Sequence, residues 1–151
     1  MTAYDLICIG AGPTGLACAI EAQRAGMNAL VIDKGCRCNS LYHYPVNMVF
    51  FTTPELLEIG GLPLTCAGEK PTRNEALKYY RRAAEFYGLE LRLYERVERM
   101  DGQDGNFTII TRMEHGSEVK YRAKKVVVAT GYYDLPNLLG VPGEELPHVS
   151  H

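Results

Sequence analysis

The sequence contains no apolar run longer than a β-strand. Its apolar runs, such as residues 6–9 and 126–129, fall far short of the roughly 20 residues that span a bilayer, so no membrane segment is expected. Excess charge is missing too: 16 Lys and Arg stand against 18 Asp and Glu, for a net charge of -2. Nothing in that balance draws in nucleic acid or anionic lipid. The first residues hold no basic segment, no apolar signal core and no small-residue cleavage site, which argues against secretion. Five cysteines are an odd number, and Cys8 and Cys18 fall on a strand and a helix expected to be buried. Reduced thiols in the cytoplasm fit this better than a disulfide framework. There is no C-x-x-C pair, and His43, His115, His148 and His151 are scattered, so no metal site is expected. Internal repeats and low-complexity tracts are absent as well.

What is present is one domain's worth of patterned chain, 151 residues with 46% hydrophobic content. Residues 4–9 are apolar and stop at Gly10, as a buried parallel strand does. Pro13 opens a segment with Leu16, Ala17, Ala19, Ile20 and Ala22 at helical spacing, closed by Gly26. Residues 28–32 return as a second strand ending in Asp33, completing a βαβ unit within about 30 residues. An irregular stretch follows from 34 to 66, with only 54–59 read as a short helix; loops that long are usually functional. Thr72 and Glu75 then form a capping box, behind which Ala76, Leu77, Tyr80, Ala83, Ala84 and Tyr87 share one helical face up to Gly88.

After a strand at 90–93, the segments 97–100, 107–112 and 118–122 are divided by Asp101-Gly102, Asp104-Gly105 and His115-Gly116. These turn signals predict an antiparallel meander over about 94–122. A last strand at 124–130 ends in Thr130-Gly131 and gives way to a Pro- and Gly-rich stretch, 131–151. The expected fold class is therefore α/β, a Rossmann-like domain with a parallel sheet plus an antiparallel β-meander.

Gly10-Ala11-Gly12-Pro13-Thr14-Gly15 satisfies G-x-G-x-x-G at the strand-to-helix junction where that pattern has physical meaning. Gly10 permits the tight turn, Gly12 lets backbone approach a diphosphate, and Gly15 lets the helix lie close to the sheet. The phosphates would rest on the free N–H groups of the helix start. Asp33, at the end of the second strand, can accept from a ribose hydroxyl. The motif alone does not separate FAD from NAD. The meander followed by Ala129-Thr130-Gly131 favours FAD, because a simple dehydrogenase domain would continue with further βα units.

At these residues the chain resembles the thioredoxin-reductase-like flavoproteins. Lys34-Gly35-Cys36, Asn39-Ser40, Tyr44-Pro45, Asn47-Met48, Phe50-Phe51 and the runs 55–60, 70–82 and 129–144 extend the likeness to the bacillithiol disulfide reductase family, over essentially the whole chain. The resemblance implies an FAD-containing, NADPH-dependent oxidoreductase acting on a low-molecular-weight thiol disulfide or a redox-protein acceptor, and a homo-oligomer at full length. It implies that Gly10, Ala11, Gly12, Pro13, Thr14, Gly15, Asp33, Lys34, Ser40, Asn47, Val97, Ala129, Thr130 and Gly131 line the FAD. It also implies that residues 1–151 are the front part of the FAD-binding domain, with 131–151 leading toward an NADPH domain that lies beyond them. Family members carry a cysteine where Thr14 stands, and a threonine forms no mixed disulfide, so no catalytic residue is assigned. Ferredoxin or flavodoxin reductases, flavin-containing monooxygenases and a non-catalytic FAD-binding fragment are the alternatives.

Several residues invite chemistry and have plainer readings. Cys36 and Cys38 form a C-x-C pair whose disulfide would be strained, and they are read as free loop thiols. Tyr132 and Tyr133 follow the A-T-G element and can stack near a cofactor or pack at a junction. Lys78, Arg81 and Arg82, like Lys120, Arg122, Lys124 and Lys125, read as solvated faces.

Overall fold

A computed structural model describes residues 3–149. Its elements run in the order β1 (Ala3–Ile9), α1 (Pro13–Arg24), β2 (Ala29–Ile32), α2 (Asn39–His43), a 3-10 turn (Pro54–Leu57), α3 (Arg73–Phe86), β3 (Glu90–Arg92), β4 (Glu95–Gln103), β5 (Asn106–Met113) and β6 (Glu118–Val128). One six-stranded sheet has the order β3-β2-β1-β6-β5-β4. Strands β3, β2, β1 and β6 run parallel, and β6, β5 and β4 are joined antiparallel.

Parallel strands are covered on both faces, and β1 and β2 show why their sequences are continuously apolar. Leu6, Cys8, Ala29 and Val31 pack toward α1 with Ala11, Ala19 and Ala22. Ile7, Leu30 and Ile32 point the other way, into a cluster with Tyr4, Ile109, Tyr121 and Ala123. A third cluster joins Leu16 of α1, Cys38 and Leu41 of the α2 region, Leu64, and Ala76, Tyr79, Tyr80 and Ala84 of α3. It roofs the loop region and gives the 35–70 stretch a core of its own.

Both long helices end as their sequences predict. After α1 the Gly26 N–H donates to Gln23 O at 2.9 Å and Met27 N–H to Ala22 O at 2.9 Å. After α3 the Gly88 and Leu89 N–H groups repeat the pattern on Glu85 O and Ala84 O. Both are Schellman closures, with Gly26 at φ +76 and Gly88 at φ +58. The capping box at Thr72 and Glu75 is present in both directions, and Glu75 also accepts the Ala67 N–H at 2.9 Å.

Three sequence expectations change. Asp101-Gly102 is not a turn: β4 runs through it, Gly102 pairs with Phe107, and a Cβ on Gly102 would lie 2.2 Å from Asn106 O. The glycine is there for close backbone approach within a ladder. The segments 118–122 and 124–130 are not separate strands either; β6 is continuous from Glu118 to Val128, because its first half pairs with β5 and its second with β1. The irregular stretch also hides α2, whose start at Cys38 is left-handed (φ +54) and lacks a side-chain cap, so no capping signal marks it. Among the described residues no helix is long and apolar enough to cross a membrane.

The capping box makes one prediction. Thr72→Ala removes the acceptor for the Glu75 N–H and should lower unfolding free energy by about 1 kcal/mol, read as a shifted urea midpoint at constant slope. An unchanged midpoint would show that Glu75 alone holds that end of the helix.

Candidate functional site

The glycine turn between β1 and α1 is where four segments meet. Gly10 takes φ +112, and its missing Cβ would fall 2.2 Å from Ala129 O just past β6. Gly15 sits so close to the turn that a Cβ there would lie 1.9 Å from Gly10 O. Gly12 differs: a Cβ there would meet nothing within 4 Å, and its backbone is extended (φ -76, ψ 178). Gly10 and Gly15 are thus glycines for packing, whereas Gly12 faces open space.

Ala11 links the segments. Its N–H donates to Asp33 Oδ2 at 2.6 Å, and its carbonyl accepts the Cys38 N–H at 3.0 Å. Asp33 Oδ1 accepts the Gly35 N–H at 2.8 Å. The carboxylate at the end of β2 is therefore fixed by two amides, with lone pairs left on both oxygens for hydroxyl donors. The backbone continues the bracing, since Glu95 N–H donates to Asp33 O at 2.9 Å and Tyr94 N–H to Gly35 O at 3.1 Å. These bonds bring the start of β4, with Arg96 and Val97, beside Asp33.

Around this hub lies a cleft of about 810 Å³, in the range of cofactor pockets. Of the residues predicted to line it, Gly10, Gly12, Pro13, Thr14, Asp33, Lys34, Ser40, Val97, Ala129, Thr130 and Gly131 do so. Ala11 and Gly15 do not; they are the buried supports of the turn. Asn47 also lies outside the lining, exposed in the loop after α2. Cleft residues that sequence reasoning missed include Tyr44, Phe50, Ile59, Tyr80, Arg96 and Asp134. They come from loops, from α3 and from the start of β4, whose place in space no local pattern announces.

The helix start is suited to an anion. Helix α1 has Pro at its first turn, no side-chain cap and no acidic residue in that turn. Its first intrahelical bond is Leu16 N–H to Gly12 O at 3.0 Å, so the Thr14 and Gly15 amides have no acceptor within the helix. No acidic residue of that first turn competes for the positive end of the helix dipole. Toward the far side the walls are apolar, formed by Ile9, Ile32, Leu41, Phe50 and Ile59. Arg73 of α3 supports that side, donating from Nε to Leu41 O at 3.0 Å and from a second guanidinium nitrogen to Tyr42 O, with Tyr42 beneath its plane.

The cysteines are all free. Cys38 is buried, and burial pushes its thiol up to about 12. Burial also pushes Cys8 up to about 12 and raises Cys36. None of these three offers a thiolate near neutral pH. Among the described residues no group of His, Cys, Asp and Glu could hold a metal ion. Lys120, Lys124 and Lys125 pair with Glu118, Asp5 and Asp104, and Arg81 with Glu85, as solvated faces do.

This geometry meets its relatives in sequence. The profile described as pyridine nucleotide-disulphide oxidoreductase matches residues 7–151. The chain belongs to that family. It is 41% identical over 145 residues to bacilliredoxin reductase Bdr of Bacillus subtilis (strain 168), covering 96% of this chain and 44% of that protein. It is 30% identical over 148 residues to a thioredoxin reductase of Peptoclostridium acidaminophilum, covering 94% and 38%. Among solved structures, bacillithiol disulfide reductase Bdr from Bacillus cereus superposes with a TM-score of 0.89 at 44% identity, covering 97% of this chain and 45% of that one. The resemblance read from the residues is thus the one the comparisons find, and the chain spans less than half the length of these relatives.

The two kinds of glycine separate fold from binding. Gly15→Ala should cost about 3 kcal/mol or more through overpacking against Gly10, seen as loss of a cooperative melt. Gly12→Ala should melt like the unaltered chain yet bind dinucleotide at least tenfold more weakly, measured by titration. Tight binding by Gly12→Ala would mean that no ligand passes over that turn.

Proposed function

We propose that this chain is the FAD-binding portion of an NADPH-dependent flavin oxidoreductase that reduces bacillithiol disulfide, a low-molecular-weight thiol disulfide. The observation that carries the reading is the cleft at the β1–α1 turn, where acceptor-free helix amides, an open Gly12 and a braced Asp33 converge. The residues present fit the group. The 41% identity to a bacilliredoxin reductase, against 30% to a thioredoxin reductase, supports the choice of acceptor class.

In this reading Gly12, Pro13, Thr14 and the amides of the α1 start hold the diphosphate, with Gly10, Ala11 and Gly15 shaping the turn beneath it. Asp33 accepts from ribose hydroxyls, beside Lys34 and Val97. Ser40, Ala129, Thr130 and Gly131 line the remaining wall. When bound, FAD supplies the two-electron chemistry that links nicotinamide to disulfide sulfur. The chain's own work is to bind, orient and exclude water, the last through its apolar wall of Leu41, Phe50 and Ile59. Residues 131–149 lead, in a longer protein, toward the nicotinamide-binding domain.

Purified chain should take up FAD and show the visible absorption of a bound flavin. A chain that stays colourless with added FAD would remove the cofactor assignment. For a longer protein carrying this chain, NADPH oxidation should be stimulated by bacillithiol disulfide and not by ferredoxin. Stimulation by ferredoxin alone would overturn the acceptor.

A further inference from the structure

Residues 131–134, just past β6, are tied to the 34–44 segment. Lys34 Nζ pairs with Asp134 Oδ2 although the two stand 100 residues apart. The Tyr133 hydroxyl donates to His43 O at 3.4 Å, and its ring meets Tyr44 edge-on with centroids 4.7 Å apart. Gly131, at φ +69, has the Ser40 hydroxyl 4.0 Å from where its Cβ would be. Lys34, Ser40, Tyr44, Gly131, Tyr133 and Asp134 all line the cleft.

Asp134 differs from the other carboxylates lining the cleft. Asp33 accepts from the Ala11 and Gly35 amides, and Glu58 accepts the Leu64 N–H at 2.9 Å. Each of those two braces backbone. Asp134 instead accepts from the side-chain ammonium of Lys34, on another segment that lines the cleft. The paired side chains are 40% and 41% exposed, so the contact adds little to global stability. A contact that contributes little to folding but joins two segments lining the cleft is placed to act on the escape of whatever the cleft holds.

We propose that Lys34 and Asp134 form a clasp retaining the dinucleotide, with Asp134 as the positioning residue that holds the Lys34 ammonium over the cleft and draws the 131–134 strap closed. The proposal rests on the FAD reading above. It assigns Asp134, which the glycine motif does not reach, to the binding site.

The test is the rate of flavin release from the FAD-loaded chain, followed by recovery of flavin fluorescence on dilution. Asp134→Asn and Lys34→Gln should each speed release about two- to fivefold at low salt. Asp134→Asn should add nothing in the Lys34→Gln background, and Asp134→Glu should stay close to the unaltered chain. High salt should erase the difference between Asp134→Asn and the unaltered chain, because an exposed pair is screened. Release unchanged by Asp134→Asn, or accelerated equally in both backgrounds, overturns the clasp while leaving the FAD reading intact. So does a melting midpoint of the flavin-free chain that falls in step with the faster release, which would assign the pair to the fold. An unaltered chain that takes up no FAD overturns both.

Discussion

The structure depends on the backbone of one residue, Ala11, whose N–H donates to Asp33 and whose carbonyl accepts from the Cys38 N–H. Those two hydrogen bonds connect the end of β2 and the start of α2 to the turn that launches α1. Gly10 and Gly15 make the arrangement possible, since each admits backbone where a methyl group would collide, against Ala129 O and Gly10 O respectively. Asp33 passes the constraint on through the Gly35 amide and, by its carbonyl, to Glu95. One turn thus sets the positions of β2, α2, β4 and the end of β6, and the cleft is the space those four leave between them.

This explains why the sequence was informative in some places and silent in others. The βαβ unit, the glycine turn and the capped helix were legible because each rests on contacts within a few residues: a helix face, a Schellman glycine, a capping box. Eleven cleft residues were legible for the same reason or through the family likeness. Tyr44, Phe50, Ile59, Tyr80, Arg96 and Asp134 were not, because they reach the cleft only through long-range packing. The loop that carries three of them is held by Arg73 and by the cluster around Tyr79 and Tyr80. No periodicity in 34–66 could report a shape dictated from α3.

The meander shows a different kind of illegibility. A glycine after an aspartate is a turn signal in isolation, yet Gly102 sits within β4 because a neighbouring strand crowds it. Likewise nothing local joins the two halves of β6, since each half has its own partner strand. The consequence is structural: the antiparallel strands are grafted onto the parallel sheet through one shared strand, and Ala129 is delivered straight to the glycine turn, where its N–H donates to Ile9 O at 2.8 Å. The sequence marks A-T-G as a strand end; the register of β6 is what brings it to the cleft.

The sulfur chemistry of the cleft follows from burial rather than from cysteine count. Cys38 lines the cleft but is 2% exposed, sits behind a left-handed residue geometry of its own, and has its thiol directed at Ala11 O at 3.6 Å. With its ionisation pushed up to about 12 by desolvation, it acts as a small packing group that secures α2 to the turn. Cys36 is raised in the same direction, with Asp33 adding to the effect of burial. The Asp33 carboxylate therefore also discourages a thiolate three residues further on. Fixing a carboxylate on two backbone amides and presenting a reactive thiol from the same loop are opposed demands, and the residues around Asp33 are arranged for the first.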